Sequence, residues 1–216
     1  MTIIKMKVKN KNYREFLDTG QIKPLEASHI DLALKNIKSR DVKQKRILLL
    51  LLYLTGGRPS EVLNITAKDI MKDKRYIKIF IKGTKKALSR YIYVPSNNKH
   101  ALEILEYSLS LFPDLYLLHA LRDAYTRKCY SEKRGNYTRL EISNRIRYYF
   151  KSWFKGVIED GITPYYLRHN FFSKLAMKDV SLEDIRMLKG GKSMTSVVAY
   201  VHMSSKKAKS IAKKIN

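Results

Sequence analysis

The run from Ile47 to Leu54 constrains the fold most strongly, because it is apolar on nearly every side. A helix that is apolar all round has to be buried. This run is far too short to span a membrane, so it predicts the central helix of a globular core. Gly56 and Gly57 end the helix, and Pro59 is well placed as the first residue of the next one, with Glu61 in its first turn.

Before this run, helical periodicity begins at Ser28, a possible N-cap. After it, the same periodicity is found in the segments 99–111, 139–156, 164–177 and 181–189. Between these helices, the β-branched and aromatic runs 76–81 and 91–94 flank a cationic loop that starts with Lys82. They predict an antiparallel hairpin. The expected class is therefore α+β, mainly α-helical, with one small antiparallel sheet.

The two ends of the chain differ from this pattern. Residues 1–25 are basic without a clear period, which predicts an arm or linker. Near the other end, an apolar stripe in the segment 203–216 predicts a tail helix. That stripe consists of Ala208, Ile211, Ala212 and Ile215.

Charge limits the possible partners. Among the 216 residues, 44 Lys and Arg against 19 Asp and Glu give a net charge of +25, which points to a polyanion. Nucleic acid is the favoured partner; an RNA-packing protein and a binder of acidic membranes are the alternatives. The single cysteine, Cys129, allows no disulfide framework or cysteine-based zinc site, and the five histidines form no metal-binding motif. The basic N-terminal segment has no apolar signal-peptide region. We therefore expect a cytoplasmic protein without metal, cofactor or membrane contact.

Three segments combine unusual residues with predicted helix ends. The first, 55–61, places Arg58 beside two glycines at a helix N-terminus, where unpaired N–H groups and a guanidinium suit a phosphate. The second, 163–169, places Tyr165 and Arg168 on one face of a first helical turn. The third, 199–202, contains Tyr200. Taken singly, each is also explained by an ordinary helix start or, since the chain has 15 tyrosines, by a core tyrosine.

The order and spacing of these segments resemble the catalytic domain of the tyrosine recombinases, which include lambda-type and Xer recombinases and archaeal viral and plasmid integrases. The similarity runs from about Ser28 to the C-terminus. Arg58 lies in a T-G-G-R-P-S-E box, Arg168 in an L-R-H box and Tyr200 in a Y-x-H element; Lys82 lies in the hairpin between the two boxes. The resemblance implies that Arg58 and Arg168 bind the phosphate, that Lys82 is the general acid and that Tyr200 is the nucleophile.

Two family positions differ in this chain. Tyr165 replaces the usual histidine three residues before the second arginine, and Gly191 replaces the histidine or tryptophan nine residues before the nucleophile. Lys192 and Tyr165 are candidates to take over these two roles; the alternative is that the catalytic machinery has partly decayed. His169 is expected to support the site without taking part in the chemistry.

The resemblance implies a site-specific recombinase or integrase of a mobile element, acting on double-stranded DNA through a 3′-phosphotyrosyl intermediate. Residues 26–216 would form the catalytic domain, and residues 1–25 are too short for the usual core-binding domain. The expected assembly is a tetramer on DNA and a monomer in solution. A DNA-binding accessory protein with weakened catalysis is the main alternative. A type IB topoisomerase-like activity is another, and an RNA-binding role ranks last.

Overall fold

The computed structural model describes residues 25–38, 41–83, 87–121, 139–158, 162–195 and 197. Its larger helices are α1 (Ala27–Lys35), α2 (Val42–Thr55), α4 (Lys99–Leu109), α5 (Arg139–Trp153), α6 (Pro164–Met177) and α7 (Leu182–Leu188). One helical turn, α3 (Pro59–Val62), follows α2, and a short 3-10 helix (Ala67–Asp69) precedes the strands β1 (Ile70–Asp73), β2 (Tyr76–Ile81) and β3 (Arg90–Pro95). The predicted arm to residue 24, the loop 130–138, Tyr200 and the tail helix lie outside the described residues.

Helix α2 is the centre of the core, as its apolar run predicts. Every side chain from Ile47 to Leu52 is fully buried. The helix contacts α3, α4 and α6, so apolar neighbours surround it. Thr55 closes its last turn by donating from Oγ1 to the Leu51 carbonyl over 2.6 Å. This central position fixes the direction in which the chain leaves the core at Gly56.

The small sheet has the order β1-β2-β3 and is antiparallel throughout. The hairpin of β2 and β3 confirms the sequence prediction, whereas β1 was not predicted. Alternate residues of β2 and β3 face the core, among them Ile77, Ile79, Ile92 and Val94. Arg90 pairs with Ile81 at the end of this hairpin and shares the buried side of β3. A charged residue on that side needs a partner.

Local capping explains most of the helix starts. Thr163 Oγ1 accepts from the Tyr166 N–H over 3.1 Å, and Ser181 Oγ accepts from the Asp184 N–H over 3.0 Å, so α6 and α7 begin where the sequence predicts. The prediction for α1 was wrong: its N-cap is Glu26, not Ser28. The Glu26 N–H donates to His29 Nδ1 over 3.1 Å.

The described residues contain neither a membrane-spanning helix nor a cluster of metal ligands. None of their helices is long and apolar enough to cross a membrane. Within the same ranges, no group of three or more His, Cys, Asp or Glu side chains is arranged to hold a metal ion.

Candidate active site

The carboxylate of Glu61 is the centre of the candidate site and is only 1% exposed. It accepts from the Arg58 main-chain N–H over 2.9 Å and from Arg58 Nη1 over 2.7 Å. Arg90 Nη2 donates over 2.8 Å to Glu61 Oε2, the oxygen that also accepts from the Arg58 main-chain N–H. Burial alone would raise the pKa of Glu61, but the hydrogen bond and charge of Arg90, together with Arg58, lower it below its usual value. Glu61 therefore stays ionised and orients two arginines.

Arg58 differs from the sequence expectation in one respect. Helix α3 is a single turn, and the Arg58 N–H is already taken by Glu61, so this turn is not a free helix N-terminus for an anion. The Arg58 side chain, however, is 32% exposed. The phosphate-binding capacity of this segment thus lies in the guanidinium.

Arg168 approaches the same carboxylate from helix α6 and is only 5% exposed. Its Nη1 donates to the Gly56 carbonyl over 2.5 Å and lies 4.0 Å from Glu61 Oε2, while its Nη2 donates to the Lys189 carbonyl over 2.9 Å. The guanidinium also lies over the Phe172 ring, 5.0 Å from its centroid. These contacts fix the guanidinium plane, so the two arginines of the sequence prediction do come together.

The turn at Gly56 makes this geometry possible. Gly56 has φ of +57°, and a Cβ there would lie 2.7 Å from Phe171 Cδ1. Only glycine adopts this conformation cheaply and leaves room for the ring. The turn therefore presents the Gly56 carbonyl to Arg168 while Arg58 follows two residues later.

Lys189 is the lysine that the structure places next to the arginines. It is partly buried and directly follows α7, and its Nζ lies 6.0 Å from the centroid of the Phe172 ring. Burial, with the positive charges of Arg168 and Arg58, lowers the pKa of Lys189 to about 8. Burial and the charges of Lys189 and Arg168 likewise lower the pKa of His169 to about 4, so His169 is neutral at physiological pH.

The two candidates for the missing imidazoles lie at the surface. Tyr165 is 43% exposed, although Arg168 on the same helix is buried. Lys192 is exposed beyond the Gly190–Gly191 turn. The structure gives neither side chain a contact with the described arginines, and their catalytic roles stay predictions.

Lys82 directly follows strand β2 and is exposed. The next residue, Gly83, donates its N–H to Ser89 Oγ over 2.9 Å. On the far side of the loop, the Leu88 N–H donates to the Gly190 carbonyl over 3.2 Å. The described residues at the loop end of the hairpin therefore contact the turn after α7. Tyr200 lies outside the described residues.

Sequence reasoning did not assign Glu61, Arg90 and Lys189 to the site. A signal for Arg90 was available, because it directly precedes the predicted strand 91–94 and shares the inward parity of Ile92 and Val94. Glu61 lies three residues after Arg58, the spacing of an ion pair on one helical face. For Lys189 we find no such signal, since lysines are abundant throughout this chain.

The described cluster holds four cationic side chains and one carboxylate: Arg58, Arg90 and Arg168 lie around Glu61, and Lys189 lies next to the arginines. An excess of positive charge with fixed donors is suited to binding an oxyanion, and here it lies on a mainly helical scaffold. The sequence also places the chain in a known family. Residues 23–207 match the Phage integrase family, and the chain belongs to it.

Among its relatives is the tyrosine recombinase XerD of Haemophilus ducreyi, which is 26% identical over 172 residues, or 79% of this chain and 54% of the relative. The tyrosine recombinase XerC of Staphylococcus haemolyticus is 27% identical over 185 residues, or 83% of this chain and 57% of the relative. The chain thus spans little more than half the length of these relatives. The resemblance to tyrosine recombinases is confirmed.

Solved structures show the same fold. The XerA recombinase superposes with a TM-score of 0.58 at 18% identity, covering 90% of this chain and 65% of its own. The catalytic domain of bacteriophage HP1 integrase superposes with a TM-score of 0.51 at 17% identity, covering 89% of this chain and 95% of its own. The predicted fold class, mostly helical with a small antiparallel sheet, is therefore confirmed.

Proposed function

We propose that this chain is the catalytic domain of a site-specific DNA recombinase or integrase that cleaves and rejoins strands through a 3′-phosphotyrosyl bond to Tyr200. The observation that carries the proposal is the convergence of Arg58 and Arg168, with Lys189 beside them, around the buried Glu61 carboxylate. The names of the relatives support it. So does the solved structure of XerH bound to its difH substrate after cleavage, which superposes on 88% of this chain with a TM-score of 0.58.

In the proposed reaction the Tyr200 hydroxyl attacks a DNA phosphorus, and the bond to the 5′-oxygen breaks. The phosphodiester energy is retained in the phosphotyrosyl bond, so rejoining needs no ATP. Arg58 and Arg168 stabilise the charge that grows on the non-bridging oxygens, where loss of one preorganised donor costs about 2.7–4 kcal/mol. Lys82 protonates the leaving 5′-oxygen as general acid.

Tyr165 and Lys192 complete the proposed site at its exposed edge. Both side chains reach solvent, from which DNA has to approach. A phenol and an ammonium can each donate a hydrogen bond to a non-bridging oxygen, the task of the two imidazoles that this chain lacks.

The proposed partner is double-stranded DNA, to which the +25 charge gives long-range attraction. Residues 26–216 form the catalytic domain, preceded by the basic arm 1–25. Recombination joins two duplexes, so we propose a tetramer on DNA that is a monomer in solution, with the tail 203–216 either docked on a neighbouring protomer or folded back on its own core. The compartment is the cytoplasm of the host cell, on its nucleoid.

A nicked, end-labelled duplex tests the proposal. The wild-type protein should form an SDS-stable adduct with the 3′ end, and Tyr200→Phe should bind the same duplex without forming it. Arg58→Ala should bind DNA but form the adduct at least 100-fold more slowly. Binding without an adduct in the wild type would reject the recombinase.

The accessory DNA-binding protein is the second candidate, favoured by the exposed Tyr165 and by Gly191 at the two imidazole positions. It predicts duplex binding with the same salt dependence and no adduct. If an adduct forms, supercoil relaxation without recombinant products would indicate a topoisomerase-like activity.

A further inference from the structure

Arg90 is a buried arginine whose side chain joins the β2–β3 hairpin to the arginine cluster, which we define as Arg58 and Arg168 around Glu61. It begins strand β3 and is only 7% exposed. Its Nη2 donates to Glu61 Oε2 over 2.8 Å, and the other oxygen of that carboxylate holds Arg58 Nη1. One carboxylate therefore connects the end of the hairpin to a phosphate-binding arginine.

The position of Arg90 in the sheet relates it to Lys82. Arg90 pairs with Ile81, the last residue of β2, and Lys82 follows one residue, or about 3.3 Å, further along the chain. A shift of Arg90 relative to Glu61 is therefore passed directly to the segment that carries Lys82.

Gly190 closes the opposite side of Arg90. A Cβ at Gly190 would lie 2.8 Å from Arg90 Nη1 and 3.0 Å from the Leu88 carbonyl, so the turn after α7 packs directly on the guanidinium. The Leu88 N–H also donates to the Gly190 carbonyl. Arg90 thus lies between Glu61 and a turn whose preceding residue, Lys189, accepts a hydrogen bond from Arg168.

We infer that Arg90 is a positioning residue. It holds the loop end of the β2–β3 hairpin against the arginine cluster, so that Lys82 reaches the leaving 5′-oxygen. This rests on the proposed function. Arg90 transfers no proton itself. The Tyr200 hydroxyl loses its proton to solvent as its oxygen bonds to phosphorus, and Lys82 Nζ gives its proton to the 5′-oxygen as the phosphorus–oxygen bond breaks. Loss of Arg90 should therefore impair the protonation step more than phosphate binding.

A duplex with sulfur in place of the bridging 5′-oxygen isolates this step. A thiol has a pKa of about 8.5, far below that of an alcohol, so the sulfur leaves without an acid. We expect Arg90→Gln to slow single-turnover adduct formation on the oxygen duplex by about 10–100-fold, a part of the 10²–10⁴-fold due to general acid catalysis. On the sulfur duplex the defect should shrink to about 3-fold or less, as it should for Lys82→Ala, because the step that depends on the acid is bypassed.

Arg46→Gln is the matched control. Arg46 forms a bidentate pair with Glu103 at 2.7 and 2.9 Å, and the structure shows no contact between that pair and the described part of the arginine cluster. It should lower the melting temperature without changing the ratio of the two rates. If Arg90→Gln does not fold, Arg90→Lys, which keeps a positive charge opposite Glu61, takes its place with a smaller defect of the same pattern.

An equal defect on both duplexes, or none on the oxygen duplex, would overturn the role of Arg90. Failure of the proposed function looks different, because then the wild-type protein forms no adduct on either duplex.

Discussion

Replacing Lys189 with methionine should stabilise the free protein at neutral pH. Burial and the neighbouring guanidiniums lower the pKa of Lys189 from 10.5 to about 8. A shift of this size corresponds to about 3 kcal/mol, which solvent screening of a partly exposed side chain reduces to about 1–2 kcal/mol. Methionine has a similar length and no charge, so it removes this cost.

The pH dependence identifies the cause. The unfolded chain holds the Lys189 proton up to pH 10.5, whereas the folded chain releases it near pH 8, so unfolding takes up a proton between these values. The destabilisation by Lys189 is complete below pH 8 and disappears as the pH rises towards 10.5. The stability advantage of Lys189→Met should therefore fall by more than half between pH 7 and pH 9.5.

Urea unfolding of both proteins at the two pH values measures this directly. Lys192→Met is the control, since Lys192 is exposed and its loss should leave stability unchanged at both pH values. An advantage of Lys189→Met that is equal at pH 7 and pH 9.5, or a loss of stability at pH 7, would refute the assignment.

Three further predictions concern the Glu61 carboxylate, the turn at Gly56 and the salt dependence of DNA binding. Glu61→Gln should destabilise the protein by about 3–5 kcal/mol in thermal melts, because it leaves Arg90 buried without its counter-ion. The pKa of Glu61 is lowered in the folded state, so the stability advantage of the wild type over this variant should be present at neutral pH and decline as the pH falls below 4.5. Gly56→Ala should cost about 1–3 kcal/mol in urea unfolding, because a Cβ meets Phe171 at a positive φ. If about 6–10 basic groups contact phosphates, duplex affinity should fall about 10³–10⁵-fold between 50 and 200 mM salt, which a fluorescence titration measures.

The sequence predicts the helices well because their signals are local. The apolar run of α2, the proline at the start of α6 and the serine cap of α7 each act within a few residues. Strand β1 was missed, because it is short and only Ile70 of it is buried. Its pairing with β2 depends on a partner strand, which local patterns do not encode.

The residues of the candidate site show the same contrast between local signals, which the sequence reveals, and long-range packing, which it does not. Arg58 and Arg168 were found through ordered motifs, and the structure brings them together at Glu61. Arg90 and Lys189 join them only through long-range packing of the hairpin against the turn after α7. No spacing rule along the chain links these two residues to Arg58.

Positive charge exceeds negative charge among the described residues of the site. The Glu61 carboxylate compensates two guanidiniums, and a third lies at 4.0 Å. Lys189 adds a further positive charge whose pKa is already lowered, so the free site is electrostatically strained. A phosphate bound there, as the proposed function requires, would add a negative charge and raise the pKa of Lys189 again. Under the proposed function, anion binding and lysine protonation are therefore coupled, and part of the energy of phosphate binding would come from relieving the repulsion among these cations.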